Sequence, residues 1–295
     1  MGAIKQYGKK LGESAPVQTL KTTGTAMMAD ITNHVGAMPT RNFSSGHQAL
    51  ENDGSFKMGG DFIRELNAAR GGQTEHACMP GCLIKCSNVY VDDAGREIVS
   101  PMEYETICLL GTNCGLEDPD DVARMNEIAN DLGVDSIELG ATIAVLMDAG
   151  KGDFGDVSFM KEVTSEIMKG TEIGKFYASG TARVGDALKL KRVPVIKKQA
   201  ISAYDPRLIE VTGVSMMLTA QGADHTVGNA PLFKCDDKNI HELVEESLRM
   251  QINAAVADSL GLCVFGRSVT DDNLELIADA INDAFDAGVT PEWIK

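Results

Sequence analysis

Cys78-Met-Pro-Gly-Cys82-Leu-Ile-Lys-Cys86 places three thiols within nine residues, at C-x3-C-x3-C spacing. Thiolates are ligands for soft metals. On a straight helix, residues four apart share a face, but Pro80 and Gly81 favour a segment that bends around an object. Three neighbouring thiolates and one remote thiolate commonly hold a cubane iron–sulfur cluster. Zinc more often takes C-x2-C pairs or nearby histidines, and His76 keeps zinc open. The plain alternative is that these cysteines are small buried hydrophobes, which three in so short a stretch argues against. The total of seven cysteines is odd and the chain is long, which favours ligation over a disulfide framework.

A fourth sulfur is the test of the cluster reading. Cys263 follows Asp258-Ser-Leu-Gly-Leu262, just past a long helical pattern. Cys108, Cys114 and Cys235 compete with it, although the first two read more naturally as core residues after Pro101.

Other candidates for chemistry are single residues, each with an ordinary explanation. Glu103 and Glu105 share a face on a strand and diverge on a helix. A buried carboxyl would have a raised pKa suited to taking a proton, whereas an exposed pair is commonplace in an acidic chain. His225 follows the turn-like Gly222-Ala-Asp. Asp135 reads first as a helix N-cap, and Asp258 as a solvated acid.

These residues sit in a chain of 295, with 43% apolar and 24% charged residues, room for about two domains. The charge sum of 27 basic and 43 acidic residues gives −16, which disfavours nucleic acid as a partner. No apolar stretch reaches the length of a membrane span. Met1–Tyr7 has no apolar core behind its lysines, so neither a signal peptide nor an acyl anchor is expected, and a cytoplasmic location is.

The elements that must position the candidates are mostly helical. Residues 15–60 read as irregular, with a helix only at 25–34, and 71–86 as a loop over a helical turn. Val89–Val91 and Arg96–Val99 flank Asp92-Asp-Ala-Gly95, a β-hairpin. Pro119 opens a helix with its apolar stripe at Val122, Met125, Ile128/Ala129 and Leu132, closed by Gly133. Asp135 and Glu138 form a capping box for the next helix, and Phe159–Lys169 ends at Gly170. Lys189–Lys198 is the expected domain boundary. Ile240, Leu243/Val244, Leu248 and Ile252 mark a helix to about Ala257, and Thr270 caps a last one through Phe285 to Gly288.

Taken together and in order, several of these stretches resemble the tungsten-dependent aldehyde:ferredoxin oxidoreductases. They are Gly36-Ala-Met-Pro-Thr-Arg-Asn-Phe43, the array ending at Cys86, Glu103-Tyr-Glu-Thr106, Asn130-Asp-Leu-Gly-Val-Asp135, Ala203-Tyr-Asp-Pro-Arg207, Gly222-Ala-Asp-His225 and Asp258-x-x-x-Leu262-Cys263. The resemblance covers nearly all of the chain. It implies a mainly α fold of two all-α domains, like the C-terminal domains of that family, with one small β-hairpin. Residues 1–198 would carry the cysteine array and the first pterin segment. Residues 199–295 would carry the second segment and the fourth cysteine.

By the same resemblance, Cys78, Cys82, Cys86 and Cys263 would hold a [4Fe–4S] cluster. Asn130, Gly133, Val134 and Asp135, with Asp258 and Leu262, would clasp a tungsto- or molybdo-bispterin. Glu105 and His225 would stand beside the metal, Glu105 as base ahead of Glu103. The implied reaction is oxidation of a small aldehyde to a carboxylate, with electrons passed to ferredoxin or another carrier. The chain departs from the family in three places. The first cysteine gap is one residue longer than usual, and Asn130 replaces an aspartate. Arg124 and Glu127 stand where an E-x-x-H pair binds iron between subunits, so no bridging iron is expected, although a homodimer stays open. The family's β-rich N-terminal pterin-binding domain has no counterpart here, which implies a partner subunit or a longer protein. Two other readings remain, an electron-transfer or assembly module without catalysis and a helical protein with a structural zinc.

Overall fold

A computed structural model describes residues 2–48, 56–271 and 273–294. The chain opens with α1 (Ala3–Glu13), α2 (Ala15–Thr23), α3 (Met27–Val35) and α4 (Gly60–Ala69). A three-stranded antiparallel sheet follows, β1 (Gln73–His76), β2 (Ser87–Val91) and β3 (Glu97–Val99), in that spatial order. Next comes α5 (Tyr104–Thr106), which runs on as a π-helical turn, 107–111, and a 3₁₀ turn, 112–114. Helices α6 (Pro119–Leu132), α7 (Ser136–Asp148), α8 (Val157–Lys169), α9 (Glu172–Tyr177) and α10 (Thr181–Ala187) form the middle of the chain. A two-stranded hairpin, β4 (Val195–Ile196) and β5 (Gln199–Ala200), leads to α11 (Glu210–Leu218) and α12 (Ile240–Ser259). The last helices are α13 (Arg267–Thr270), α14 (Leu274–Phe285) and α15 (Pro291–Ile294). The fold is mainly α, as the sequence implies. No helix among the described residues is long and apolar enough to cross a membrane.

Local chemistry accounts for the elements that the sequence marked well. Asp118 caps α6 through the Asp120 N–H, Pro119 fills its first turn, and Gly133 closes it at φ +67. The Asp135 carboxylate accepts the Glu138 N–H and caps α7. The expected capping box is only half formed, because the Glu138 carboxylate turns away. It accepts from the N–H groups of Thr181 at 2.7 Å and Ala200 at 3.0 Å, tying α10 and β5 to α7. Beyond it, the α8 C-terminus closes at Gly170 as expected.

Other expectations need correction. Residues 15–23 are helical, because Pro16 lies in the first turn of α2, where its missing N–H costs nothing. Gln73–His76 is an edge strand paired with β2, not a loop; its polar residues carry no alternation to reveal it. The final helix is capped by the Asn273 side chain and closed by Asp286 at φ +50, while Thr270 belongs to α13. On α12 the apolar stripe faces outward. Ile240, Val244, Leu248 and Ile252 are 71, 41, 57 and 52% exposed, and the helix instead buries Leu243, Ser247, Ala254 and Ala257.

Three apolar clusters hold these elements. The first surrounds Ile107, Leu110, Met125, Ile143 and Leu146, with Leu188, Leu190 and Val193 packed on it. A second draws Ala29, Tyr104 and Cys108 together with Ala203, Val211 and Leu243, from both sides of the 189–198 stretch. The third joins α1 and α2 to Ile84, Val269 and Leu276 and supports Cys82 and Cys86. At the centre, α7 lies directly on the 107–111 backbone. A Cβ on Gly140 would come within 2.3 Å of the Leu109 carbonyl oxygen. Gly140→Ala is therefore expected to destabilise the fold by about 3 kcal/mol, read as a lower urea midpoint, since backbone on both sides must give way.

Candidate functional site

The cysteine loop leaves β1, turns at Gly81 (φ +84) and enters β2. Ile84, 3% exposed, anchors it in the third apolar cluster, and the Lys85 N–H donates to Cys82 Sγ at 3.4 Å. Behind the loop, α2 ends at Gly24, where a Cβ would stand 2.8 Å from the Cys86 carbonyl oxygen. Glycine at this position lets the two segments touch.

Cys263 joins this group from 177 positions beyond Cys86. Burial is the main cause that pushes the Cys86 thiol up to about 12, followed by the charges of Glu103, Cys263, Cys82 and Cys78. Cys78 is raised by burial, by Cys82 and by Cys263, and the Tyr7 hydroxyl is raised by burial and then by Cys263. The charges of Cys82 and Cys263 thus reach both Cys78 and Cys86. Among the described residues, no three His, Cys, Asp or Glu side chains close on a point the size of a single ion. Cys108 and Cys114 are fully buried core residues, and Cys235 packs near Phe233 in another cluster.

The second group forms around Glu105, on the short α5. Its Oε2 accepts the Ala203 N–H at 2.8 Å, while its buried Oε1 has no hydrogen bond. That oxygen lies 3.3 Å from His225 Nε2, an ion-pair distance without hydrogen-bond alignment. Desolvation raises the Glu105 pKa from its ordinary value; His225 and the Ala203 N–H oppose this, and the Asp135 charge adds to it. The His225 ring stacks on Tyr204, 6.1 Å between centroids, and Tyr204 packs on Tyr104 at 5.0 Å. The Tyr104 hydroxyl donates to the Ala203 carbonyl and meets Thr32 Oγ1 at 3.0 Å. These tyrosines and Ser202, whose buried hydroxyl also lacks a partner, carry no spacing signal in the sequence.

Glu103 stands at the other end of the same three residues and belongs to the cysteine side. It hydrogen-bonds Thr25 and Ser87, and its charge reaches Cys86; burial raises its own pKa. Thr25 Oγ1 in turn accepts the Tyr104 N–H at 3.0 Å. Glu103 and Glu105 therefore face two different groups, with only Tyr104 between them in the chain.

The two segments assigned to the pterin have one local structure. After α6, the Gly133 N–H donates to the Asn130 carbonyl at 3.0 Å and the Val134 N–H to the Ala129 carbonyl at 3.2 Å. After α12, the Gly261 N–H donates to the Asp258 carbonyl at 3.1 Å and the Leu262 N–H to the Ala257 carbonyl at 2.9 Å. Both are left-handed helix ends of the Schellman type. Asn130, Gly133, Val134, Asp135 and Asp258 are exposed, and Thr106 Oγ1 meets Ser136 Oγ at 2.8 Å, bringing the first segment to α5. Leu262 is half-buried and lines an apolar cavity of about 230 Å³ between α1 and α14. Asp135 carries a fold role of its own. Asp135→Ala should cost about 1 kcal/mol of stability in denaturant titration, through loss of the α7 cap.

A buried carboxyl with an open oxygen beside a histidine can hold or receive a proton. Cys78, Cys82, Cys86 and Cys263, two of which feel the charges of others in the set, are the kind of donor set that soft iron takes. The Gly36–Phe43 stretch adds a built feature, since Arg41, Asn42 and Phe43 all have φ between +46 and +56. Their N–H groups are held by Thr112 O, Asn113 O and Asn113 Oδ1.

The family model described as aldehyde ferredoxin oxidoreductase, domains 2 and 3, matches residues 2–295. The chain is 29% identical over 272 residues to the tungsten-containing aldehyde ferredoxin oxidoreductase of Pyrococcus horikoshii, covering 82% of this chain and 42% of that protein. The corresponding protein of Pyrococcus furiosus is 27% identical over 271 residues, with the same coverage of 82% and 42%. An aliphatic sulfonate oxidoreductase, WOR-like subunit, also from Pyrococcus furiosus, is 28% identical over 242 residues, covering 73% and 36%. The chain spans less than half the length of these curated relatives. On the match to nearly every residue, the chain belongs to the aldehyde ferredoxin oxidoreductase family, corresponding to its domains 2 and 3.

Proposed function

We propose that this chain is the cluster-binding, helical part of a cytoplasmic tungsto- or molybdopterin oxidoreductase that turns a small aldehyde and water into a carboxylate, two electrons and protons. The observation that carries this reading is the open Glu105 Oε1, buried without a hydrogen bond and 3.3 Å from His225 Nε2. The residues fit the groups that the family implies. Cys78, Cys82, Cys86 and Cys263 would hold a [4Fe–4S] cluster, and Asn130, Gly133, Val134, Asp135, Asp258 and Leu262 would line the pterin. When bound, the pterin-held metal supplies a two-electron acceptor and the cluster a one-electron relay.

Glu105 takes the proton released from water, which its raised pKa favours. His225, steadied by the Tyr204 ring, directs Nε2 at the substrate carbonyl and polarises it. The Ala203 N–H holds Glu105 in place, and the Tyr104 hydroxyl in turn holds the Ala203 carbonyl. An N-terminal pterin-binding domain or subunit would complete the pocket, and ferredoxin or another carrier would take the electrons. Anaerobic purification with iron, sulfide, tungsten and molybdenum analysis tests the reading, together with aldehyde-dependent dye reduction. Iron with tungsten or molybdenum and turnover are expected; a colourless zinc protein overturns it.

A second reading is an iron–sulfur subunit without catalysis of its own. One relative, an aliphatic sulfonate oxidoreductase, is itself named a WOR-like subunit, which favours it. Turnover by the chain alone, or only with an added partner, separates the two.

A further inference from the structure

We propose that the outward face of α12 is a self-association surface, on which a second copy of this chain packs its own α12 antiparallel across a two-fold axis. Helix α12 presents Ile240, Val244, Leu248 and Ile252 to solvent, large aliphatic side chains at 41–71% exposure, each about one turn from the next. Its opposite face is already used, since Leu243, Ser247, Ala254 and Ala257 are buried. A continuous apolar row on a surface marks an interaction site. Neither the cysteines nor Glu105 and His225 take part, so this face is independent of the function proposed above.

The pattern of the row selects its occupant. Its midpoint is Glu246, and reversing the helix about that point exchanges Ile240 with Ile252 and Val244 with Leu248, aliphatic for aliphatic. A closed two-fold dimer requires such a patch, one that complements itself. The four side chains form a single i, i+4 ridge, and two ridges of this kind interdigitate when helices cross at about −50°.

Charge supports the same pairing. Glu245 and Arg249 each follow a residue of the row by one position, so both stand on one flank of it, and both are exposed. Antiparallel packing brings the same flank of the two helices together and reverses one of them. Glu245 of either copy then stands about 3 Å along the axis from Arg249 of the other copy, giving two opposite-charge pairs per dimer. Arg249 meets Glu246 of its own helix at 2.6 Å, but a guanidinium has N–H donors enough for a second carboxylate. Two crossing ridges bury less than the roughly 1,200–2,000 Å² of a tight complex, and each copy carries a net charge of −16. A reversible dimer with micromolar Kd is therefore expected. It does not involve Arg124 and Glu127 of α6.

Sedimentation equilibrium of the full chain, from about 1 to 200 μM, tests the surface. A monomer–dimer equilibrium is expected, with Kd raised about tenfold or more by Leu248→Asp. Leu248 is exposed, so Tm of that variant should stay near that of the parent chain. Met168→Asp, exposed at the end of α8, should leave the dimer unchanged. Glu245→Arg and Arg249→Glu should each weaken self-association alone, because each sets like charges together. An equimolar mixture of these two variants should recover it, since every flank pair in the mixed dimer is then opposite in sign. Iron content of the same samples reports on the cluster separately. A chain that stays monomeric throughout overturns the surface, as does a dimer indifferent to Leu248→Asp. A mixture that does not recover the dimer overturns the antiparallel pairing. Should Leu248→Asp instead abolish binding of an added subunit by a monomeric chain, the face belongs to that partner and the proposal falls.

Discussion

Cys263→Ala is expected to lower iron and acid-labile sulfide as far as Cys82→Ala does, while Cys235→Ala keeps the full content. Cys263 is exposed after the left-handed end of α12, so its loss leaves no cavity in the core, and Tm should change little in metal-free protein. Its sulfur nevertheless reaches the charge environment of Cys78, Cys86 and the Tyr7 hydroxyl. A cubane cluster that loses one of four thiolates loses one of its anchored irons. Full iron in Cys263→Ala would remove the remote ligand from the proposal. Full iron in both Cys82→Ala and Cys263→Ala would remove the site.

Glu105→Gln should lower kcat of the assembled enzyme by about 10²–10⁴-fold, the usual contribution of a positioned general base. KM should change far less, because the amide keeps the shape and the Ala203 hydrogen bond. Glu103→Gln is the control. It alters the cysteine side, where Glu103 bonds Thr25 and Ser87, and should affect cluster stability before it affects aldehyde chemistry. Equal loss of kcat in the two variants, with cluster content intact, would sink the assignment of roles.

The same carboxyl predicts a pH dependence. Glu105 has a folded-state pKa above its unfolded value, chiefly through desolvation. At low pH both states hold the proton and burial is not penalised. As pH rises past the ordinary carboxyl range, the unfolded state ionises first, the folded state holds more protons, and stability falls until Glu105 itself titrates. Glu103 adds a slope of the same sign. Tm measured against pH should therefore fall less steeply in Glu105→Gln, and the variant should be the more stable protein above the carboxyl range. A steeper fall would mean that the charged form is the one the fold favours.

Helix ends and sulfurs were legible because their causes are local. Asp118, Gly133, Asp135 and Gly170 act on backbone groups within a few residues, so residue type and spacing suffice to place α6, α7 and the end of α8. The Asp92–Gly95 turn fixes its hairpin in the same way, with the Asp92 N–H bonded to the Arg96 carbonyl at 2.8 Å. The cysteine array stood out by spacing alone, whereas the Glu103–Glu105 pair was commonplace in so acidic a chain until the resemblance picked out Glu105. Resemblance singled out Cys263 and His225, and Asp258 followed from its spacing to Cys263.

What a helix buries is a different matter. The stripe on α12 has helical spacing, yet packing of α12 on α11 buries the face that carries Leu243 and Ser247, with Ser247 Oγ at 2.8 Å from Ser215 Oγ. Only the fold decides that Glu138 leaves its capping box for Thr181 and Ala200, or that Glu103 turns to Cys86 while Glu105 turns to His225, 120 positions away. Such pairings depend on which backbones can approach, as at Gly140 and Gly24, and approach is a property of packed elements. The residues therefore announced their chemistry, and tertiary contact chose which of them share a site, because desolvation and charge act across space and not along the chain.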